Sequence, residues 1–572
     1  MTINGAPPRA DVQARFPDGR AFNGPAGSMV SSFVEAWKPE EQDEIVAVLV
    51  DGKLKELCYQ MYRDAQITPI TTKDSDGARI YRRTLSFLLV VAARELFPQL
   101  QIMIEHSMPF GGYYCQSFAA DGSMYNLEEA ELKALEGRMR DLVEADLPIK
   151  QSKVPLEEAL VIFRNSGESE KEALFKRRRK DYLTLYELNG IRDYFHGFMV
   201  PRTRYLKRFT LHPYADGFIF QFPRRHAHEV LQPFVDEPRL ARVFRDYNDW
   251  LRVFDVSDVA SLNRAIRTNR AQEIVLVAEA LHRHQLTQIA MQIAERRDEI
   301  KVVLISGPTS AGKTTFSKRL AVQLLALGMK PVAIPMDNYF VDRDLTPRDE
   351  KGDFDFEALE AVDVPLFQQH LHQLLAGEAI TQPIYDFHTG QRRWGASLRI
   401  EQEHVLIIEG IHGLNPRLVE GIATNALYRV FISAFTQLNL DRHSRVPTTD
   451  TRLLRRMVRD AAHRGYTASD TIKRWPSVRR GEKNHIFPYQ NNANVFFNSA
   501  LVYELAALKP LAQPLLLQVE PGTPERIEAN RLLAFLQWFE PFPAMEAVNI
   551  PSDSIVREFI GGSILESFEP WR

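Results

Sequence analysis

The strongest chemical signal in this sequence is a glycine-rich loop, GPTSAGKTT, which runs from Gly307 to Thr315. It has the spacing G-x-x-x-x-G-K-[ST] and stands between an apolar strand-like run, KVVLIS, and a helical pattern. Glycines let a backbone wrap around a polyphosphate, and amides at a helix N-terminus point toward the anion. The motif therefore predicts a nucleotide-binding loop, and its alternative is a strand-to-helix turn without a ligand.

The whole loop is expected to bind ATP. Lys313 should reach the β- and γ-phosphates, and Thr314 should offer its hydroxyl to Mg²⁺. The predicted ATP-binding residues are Gly307, Pro308, Thr309, Ser310, Ala311, Gly312, Lys313, Thr314 and Thr315.

Two carboxylates follow apolar strand-like runs further along the chain. Glu409 ends HVLIIE, and a strand-end acid in a parallel sheet lies beside the phosphate loop, so it is a candidate Mg²⁺ ligand. Asp337 follows PVAIPM and is a candidate general base for a substrate hydroxyl. The alternatives are a capping acid for Glu409, and a helix N-cap or a water-mediated Mg²⁺ contact for Asp337.

Several arginines stand on a predicted helix, TRLLRRMVRDAAHRG. Arg456 and Arg459 are three residues apart and share a face, and Arg464 follows. Arginines that fold over a triphosphate stabilise the charge of phosphoryl transfer. A solvated basic face is the alternative.

The order of elements predicts a multidomain chain of α/β and α+β units. We expect a small β-grasp-like module with hairpin turns at PDGR and at Asp51-Gly52, an α+β domain, a helical connector, a parallel α/β domain and a C-terminal extension. The expected ranges are 10–72, 75–225, 226–297, 298–511 and 512–572.

The kinase-like motifs, in order, are GPTSAGKTT, MDNYF, FDFEAL, PIYDF, IIEG and RRMVRD…RG. This series resembles the uridine kinase and phosphoribulokinase family over about 210 residues. The resemblance implies that Asp337 is the base for a nucleoside 5′-hydroxyl, that Asp355 holds the ribose hydroxyls and that Tyr385 lines the base pocket. It also assigns Glu409 to Mg²⁺, Arg456 and Arg459 to substrate and phosphate, and Arg464 to the lid.

Two positions depart from that family. Gly390 stands where uridine kinases usually have a base-reading histidine, and Arg464-Gly465-Tyr466 replaces their RGR. A site without its hydrogen-bonding partners discriminates a base weakly. The expected function is therefore an ATP- and Mg²⁺-dependent nucleoside kinase of uncertain base. The alternatives are a kinase of another hydroxylated metabolite, such as a sugar phosphate, and an RNA-binding regulator that uses ATP as a switch.

The N-terminal half carries a second resemblance. ARFPDGRAF and VLVDGKL look like a TGS module, and residues 80–98 and 193–211 resemble the editing-type domain of threonyl-tRNA synthetases. The paired HxxxH and CxxxH groups of that family align with Arg83, Phe87, Phe195 and Met199. These side chains cannot hold a metal or activate water, so deacylation is not expected, and neither is aminoacylation. His106 and His196 are expected to be ordinary surface or core residues.

This N-terminal region is expected to sense RNA or a small molecule, or to support self-association. KRRRK at 176–180 is the candidate phosphate-backbone contact, with a solvated helix face as the favoured alternative. Near the C-terminus, SIVREFIGGS suggests a segment docked on the protein, where it would close the substrate pocket or pack as a terminal strand.

Composition excludes several classes of protein. The 572 residues carry a formal charge of −3, so no global basic excess indicates nucleic-acid binding. The sequence contains two cysteines, Cys58 and Cys115, which rules out a disulfide framework. The absence of a signal-like segment and of an apolar run of about 20 residues predicts a cytoplasmic protein without a membrane span.

Overall fold

The N-terminal unit is a five-stranded mixed sheet with one helix across it. The computed structural model describes residues 10–38, 43–178, 180–350, 352–435, 438–542 and 548–569. The strand order is β2-β1-β5-β3-β4, and β1 runs parallel to β5, which is the predicted β-grasp arrangement. Asp51 and Gly52 both have positive φ, 48° and 73°, as the predicted β3–β4 hairpin requires. The elements are β1 (Asp11–Arg15), β2 (Ala21–Pro25), α1 (Val30–Trp37), β3 (Ile45–Val50), β4 (Lys53–Lys55) and β5 (Ala65–Thr71).

The second unit is an α+β domain built around a long buried helix, α2. This helix is apolar on most faces, and it ends at Leu96 because Pro98 cannot continue it. Two antiparallel sheets pack with it, in the orders β11-β10-β9 and β12-β13-β7-β6. The elements are α2 (Ser75–Leu96), β6 (Leu100–Ser107), β7 (Tyr113–Ala119), β8 (Met124–Tyr125), α3 (Glu129–Glu144), β9 (Lys150–Pro155), α4 (Leu156–Asn165), α5 (Ser169–Phe175), β10 (Tyr182–Leu188), β11 (Ile191–Asp193), β12 (Thr210–Tyr214) and β13 (Gly217–Gln221).

A helical connector follows, and its helices begin later than residue 226. They are α6 (Pro238–Val253), α7 (Val259–Arg267) and α8 (Ala271–Ala294). Their apolar faces join one continuous core with the α/β domain, which includes Ile274, Ile289 and Ile305. The connector is therefore packed against its neighbours along its length.

The α/β domain holds a five-stranded, fully parallel sheet in the order β15-β18-β14-β19-β22. The central strand, β14, is completely buried, which explains its continuous apolar run. The elements are β14 (Val302–Ser306), α9 (Lys313–Ala326), β15 (Lys330–Pro335), α10 (Val364–Leu375), β16 (Ile380–Asp386), β17 (Gln391–Leu398), β18 (His404–Glu409), β19 (Leu427–Ser433), β20 (Asn439–Asp441), β21 (Ser444–Arg445), α11 (Thr448–His463), α12 (Ala468–Gly481) and β22 (Val495–Asn498).

The chain then continues through α13 (Glu504–Leu517), α14 (Pro524–Leu536) and a short helical turn, α15 (Arg557–Ile560). The predicted domain boundary at residue 511 falls inside α13. The interpretation of SIVREFIGGS as a terminal strand is wrong, because this segment forms α15 and turns. Among the described residues, no helix is long and apolar enough to cross a membrane.

A buried ion cluster lies between the α+β domain and the α/β domain. The Lys171 ammonium is fully buried and contacts the carboxylate of Asp193, the Nδ1 atom of His443 at 3.0 Å and Glu168 at 3.5 Å. Burial opposes the charged form of Lys171, but Asp193 and Glu168 outweigh it and raise its pKa. The cation therefore balances buried carboxylates of the α+β domain, and His443 of the α/β domain contacts the same cluster through Asp193 at 3.0 Å.

Replacing Lys171 with Met is expected to destabilise the full chain by about 3–5 kcal/mol, because the buried Asp193 carboxylate would lose its lysine partner. Calorimetry of the full chain measures the loss as a lower unfolding midpoint. Lys176→Met at an exposed position of the same region is the control and should leave the midpoint unchanged. An unchanged midpoint in Lys171→Met would contradict the assigned role of the cluster.

Candidate active site

The phosphate loop connects β14 to α9 through an unusual backbone path. Ser310 has a φ of 56° and Gly312 a φ of 86°, so both occupy the left-handed region. A Cβ on Gly307 would lie 2.0 Å from the carbonyl oxygen of Ile432, on the neighbouring strand. The Oγ atom of Ser310 is buried and has no hydrogen-bond partner among the described residues. This close-packed cradle, with an unsatisfied polar group and the N-terminus of α9, fits a polyphosphate.

Two buried arginines of α11 donate hydrogen bonds to carbonyl groups of the loop. Arg452 donates from Nε to the carbonyl oxygen of Thr309 at 3.0 Å and pairs with Glu482. Arg455 donates from Nη1 to the carbonyl oxygen of Ser310 at 3.3 Å and pairs with Glu504. The two arginine side chains are at most 1% exposed. They therefore shape the loop rather than contact substrate.

Thr314 and Glu409 meet at the carboxyl edge of the parallel sheet, as predicted. The Thr314 hydroxyl donates to Glu409 Oε1 at 2.9 Å. Burial raises the pKa of Glu409 to about 7, with Lys313 lowering it and Asp337 raising it. A hydroxyl and a carboxylate are the oxygen ligands that Mg²⁺ prefers, so this pair fits the ion.

Asp337 lies on a 3₁₀ turn (Met336–Tyr339) directly after β15, and its side chain is exposed. We call the space between this turn, the phosphate loop and α11 the cleft. Enclosure by the cleft raises the pKa of Asp337, while Lys313, Arg464 and Arg459 lower it. The candidate base, the loop lysine and two predicted arginines therefore share one electrostatic environment. The interpretation of Asp337 as a helix N-cap is wrong, because Pro335 is the residue at that position.

One carboxylate, which the sequence did not indicate, contacts all three predicted arginines. Asp460 is 1% exposed and accepts from Arg456 Nε at 3.2 Å and from Arg459 Nη2 at 2.9 Å, and it lies 3.8 Å from Arg464 Nε. Arg456 also reaches the Thr309 hydroxyl of the phosphate loop at 3.4 Å. Arg456 and Arg459 are thus mostly buried and are not a solvated face, whereas the Arg464 side chain is 45% exposed.

The acceptor side contains the predicted Asp355 and Tyr385. Asp355 accepts from the backbone N–H of Glu357 at 3.1 Å, and Tyr385 packs between Phe340 and Phe387, with ring centroids 5.6 and 5.0 Å away. The Glu357 carboxylate was missed, although it belongs to the quoted FDFEAL motif. Burial raises the pKa of Glu357, and Arg456 and Lys313 lower it, so it faces the same cleft.

Arg343 occupies the space beside Gly390, the position at which the resemblance implies a base-reading histidine. A Cβ on Gly390 would lie 2.7 Å from Arg343 Nε, and Arg343 Nη2 donates to the carbonyl oxygen of Phe387 at 2.7 Å. Burial raises the pKa of Tyr385, and Arg343 lowers it. A guanidinium therefore stands at the edge of the predicted base pocket. No motif in the sequence indicated this residue.

The editing-like positions form a filled core. Phe87 and Phe195 pack together with ring centroids 5.3 Å apart, Met199 is buried, and Arg83 donates to the carbonyl oxygen of Phe198 at 2.7 Å.

The two histidines also lie in packed surroundings. His106 stacks on Phe244 at 3.8 Å, and His196 contacts Asp441 at 2.9 Å. Both therefore have the structural surroundings expected of ordinary core residues.

The basic run at 176–180 follows helix α5, which ends at Phe175, so its described residues do not lie on a helix face. The alternative of a helix face is therefore wrong, and the phosphate-backbone contact stays a prediction. Lys176 and Arg177 are exposed, but the Arg178 guanidinium lies 5.6 Å from the Trp538 ring centroid. Arg179 lies outside the described residues. One of the predicted phosphate contacts is thus directed at an aromatic ring of the same chain.

Gly307→Ala is expected to destabilise the chain by about 1–3 kcal/mol, because a methyl group cannot fit against Ile432 without moving the loop or β19. Thermal unfolding measures this change. The matched control is Gly137→Ala in the exposed part of α3, where no atom lies within 4 Å of the new methyl group. That control should stabilise the chain by about 1 kcal/mol, and equal effects of the two variants would contradict the packing described for the loop.

Comparison with known proteins separates the two halves of the chain. The N-terminal region is similar to threonine–tRNA ligases, with 28% identity over 207 residues for the protein of Francisella tularensis subsp. novicida and 30% over 206 residues for that of Methylococcus capsulatus. These alignments cover 36% of this chain and 32% and 31% of the two ligases. The chain thus spans about a third of the length of these relatives.

Two solved structures are similar to part of the chain. One is described as a "putative fructose transport system kinase" from Silicibacter sp. TM1040, with 22% identity, a TM-score of 0.27, and coverage of 37% of this chain and 98% of that one. The other is described as a "possible uridine kinase" from Bacillus stearothermophilus, with 19% identity, a TM-score of 0.24, and coverage of 35% and 88%.

The α/β domain matches the phosphoribulokinase / uridine kinase family over residues 302–505. That range begins at β14 and includes the phosphate loop, Asp337, Glu409 and the arginines of α11. The C-terminal half of this chain therefore contains a P-loop kinase domain of the phosphoribulokinase / uridine kinase family.

Proposed function

We propose that this domain transfers the γ-phosphoryl group of ATP to the 5′-hydroxyl of a nucleoside of the uridine or cytidine type. The observation that carries the proposal is the environment of Asp337. The positive charges of Lys313 in the phosphate loop and of Arg464 and Arg459 lower the pKa of the Asp337 carboxyl. A candidate base for a hydroxyl thus faces the groups expected to hold and neutralise a triphosphate.

The loop residues 307–315 would hold the ATP phosphates through backbone amides and the Lys313 ammonium. Thr314 and Glu409 would hold Mg²⁺, which when bound supplies positive charge to the phosphate oxygens. Arg456 and Arg459 are oriented by Asp460 toward the loop, and Arg464 lies 5.8 Å from the Phe387 ring centroid at the rim of the cleft. Their guanidinium groups would neutralise charge on the transferring group.

On the acceptor side, Asp337 would accept the proton of the attacking hydroxyl. Asp355 would orient the ribose hydroxyls, and Tyr385 would form the apolar wall of the base pocket. Glu357 shares the cleft with both, and we assign it to acceptor positioning because its Oε2 atom is buried and has no hydrogen-bond partner among the described residues.

A second acceptor class is supported by Arg343. A guanidinium at the edge of the acceptor pocket binds phosphate or carboxylate groups in a forked geometry, so a sugar phosphate is the alternative substrate. The third hypothesis, an RNA-binding ATP switch, gives no reason for acceptor-side carboxylates at Asp337 and Asp355.

For the N-terminal region we propose RNA or small-molecule sensing, or self-association, on the basis of its similarity to the ligases. We also propose a cytoplasmic location. Both Cys58 and Cys115 are free, which suits a reducing compartment.

The test is phosphoryl transfer from γ-labelled ATP to a panel of nucleosides and sugar phosphates, with Lys313→Ala as the inactive control. A labelled nucleoside monophosphate supports the main proposal and identifies the base. Product from sugar phosphates alone supports the second acceptor class. ATP binding without product from any acceptor would contradict both and favour the switch.

Asp337→Asn is expected to lower kcat by about 10²–10⁴-fold, because the variant keeps the shape of the side chain but cannot take the proton. Steady-state kinetics with the accepted substrate measure kcat, and titration calorimetry should give an unchanged ATP Kd. Asp344→Asn, the same charge change at an exposed neighbouring position, is the matched control. A kcat within threefold of wild type in Asp337→Asn would overturn the assigned base.

A further inference from the structure

The C-terminal segment, residues 553–566, lies directly on the phosphate loop and on α9. Ile555, Val556 and Phe559 are fully buried there. The Cγ2 atom of Ile555 lies 2.6 Å from the position that a Cβ on Gly312 would take, so the segment touches the loop itself. The Arg455 guanidinium lies 4.9 Å from the Phe559 ring centroid.

Polar contacts fix both ends of this segment. At its start, Ser554 donates to the buried carboxylate of Glu279 at 2.5 Å, and Tyr503 donates to the same oxygen at 2.7 Å. At its end, Lys318 of α9 donates to the carbonyl oxygens of Leu565 and Glu566 at 2.7 and 3.1 Å. The helical turn between these anchors is therefore held over the N-terminus of α9.

Glu558 of that turn places its carboxylate on the donors of the phosphate loop. It accepts from the backbone N–H of Thr315 at 3.3 Å and from the Thr315 hydroxyl at 2.8 Å. Thr315 is the third residue of α9, and its amide is among those that no carbonyl within the helix can satisfy. Such amides in a phosphate loop cradle the α- and β-phosphates of a nucleotide. The carboxylate thus occupies an anion position of the loop.

Charge repulsion prevents a nucleotide from sharing this position. Glu558 is close enough to Glu409 to contribute to the raised pKa of that group. A triphosphate would bring several more negative charges to the same donors. The nucleotide and the Glu558 carboxylate are consequently alternative occupants of one site.

We propose that the C-terminal segment is an autoinhibitory strap in which Glu558 occupies a phosphate position of the loop, so that ATP binds only when this side chain is released. This inference rests on the proposed function, because it requires that the loop binds ATP. It assigns the segment a regulatory role. A change that moves α15 away from α9 would activate the kinase, and a change that stabilises the contact between α15 and α9 would inhibit it.

The test is titration calorimetry of Mg–ATP, without acceptor, on the full chain and on Glu558→Gln. Removing the charge eliminates the competing anion while the side-chain shape stays the same, so Glu558→Gln should bind about 10-fold more tightly than wild type. Glu566→Gln, the same charge change at an exposed position of the same segment, is the matched control and should bind as wild type does. Unfolding midpoints of all variants verify that each remains folded.

Equal affinity of wild type and Glu558→Gln would overturn the strap, and weaker binding by Glu558→Gln would show instead that the segment completes the nucleotide site. In both cases a loss of binding in Lys313→Ala would leave the proposed function intact. If Mg–ATP binds to none of the variants, including Glu558→Gln, the proposed function and the strap both fail.

Discussion

The kinase site depends on two buried guanidinium groups that hold the phosphate loop in place. Arg452 and Arg455 donate to loop carbonyls and are balanced by Glu482 and Glu504. Burying such pairs is costly unless the geometry and the hydrogen bonds are complete. Here both guanidinium groups have carboxylate partners and loop carbonyls as acceptors, so the loop is fixed from the side of α11. The glycine motif alone supplies the flexibility for that path but not the support.

The same helix provides the cleft-facing arginines, which shows how one element can serve two purposes. Arg452 and Arg455 donate to carbonyl groups of the loop, whereas Arg456 and Arg459 are held by Asp460. The acids of the cleft, Asp337, Glu357 and Glu409, all have raised pKa values because the enclosure disfavours their charge. The cleft therefore brings together opposed charges, and the Glu558 carboxylate contacts Thr315 at its edge.

Local patterns predicted much of this site, and long-range contacts account for what they missed. The loop, Glu409 and Asp337 follow from strand ends in a parallel sheet, where position along the strand fixes position in space. The hairpin at Asp51-Gly52 follows from turn chemistry. Arg343 could not be predicted, because only the fold brings it to Gly390. Glu558 is 243 residues from Thr315 in the chain, so no spacing rule connects them.

We expect the domain to transfer phosphoryl groups to a hydroxyl acceptor rather than to hydrolyse ATP as a switch. The direct measurement is a phosphorus NMR balance of products from Mg–ATP and a mixed pool of nucleosides and sugar phosphates. We expect one phosphate monoester for each ADP formed, and loss of both products in Asp337→Asn. ADP accompanied only by inorganic phosphate, at the same rate in Asp337→Asn, would contradict it.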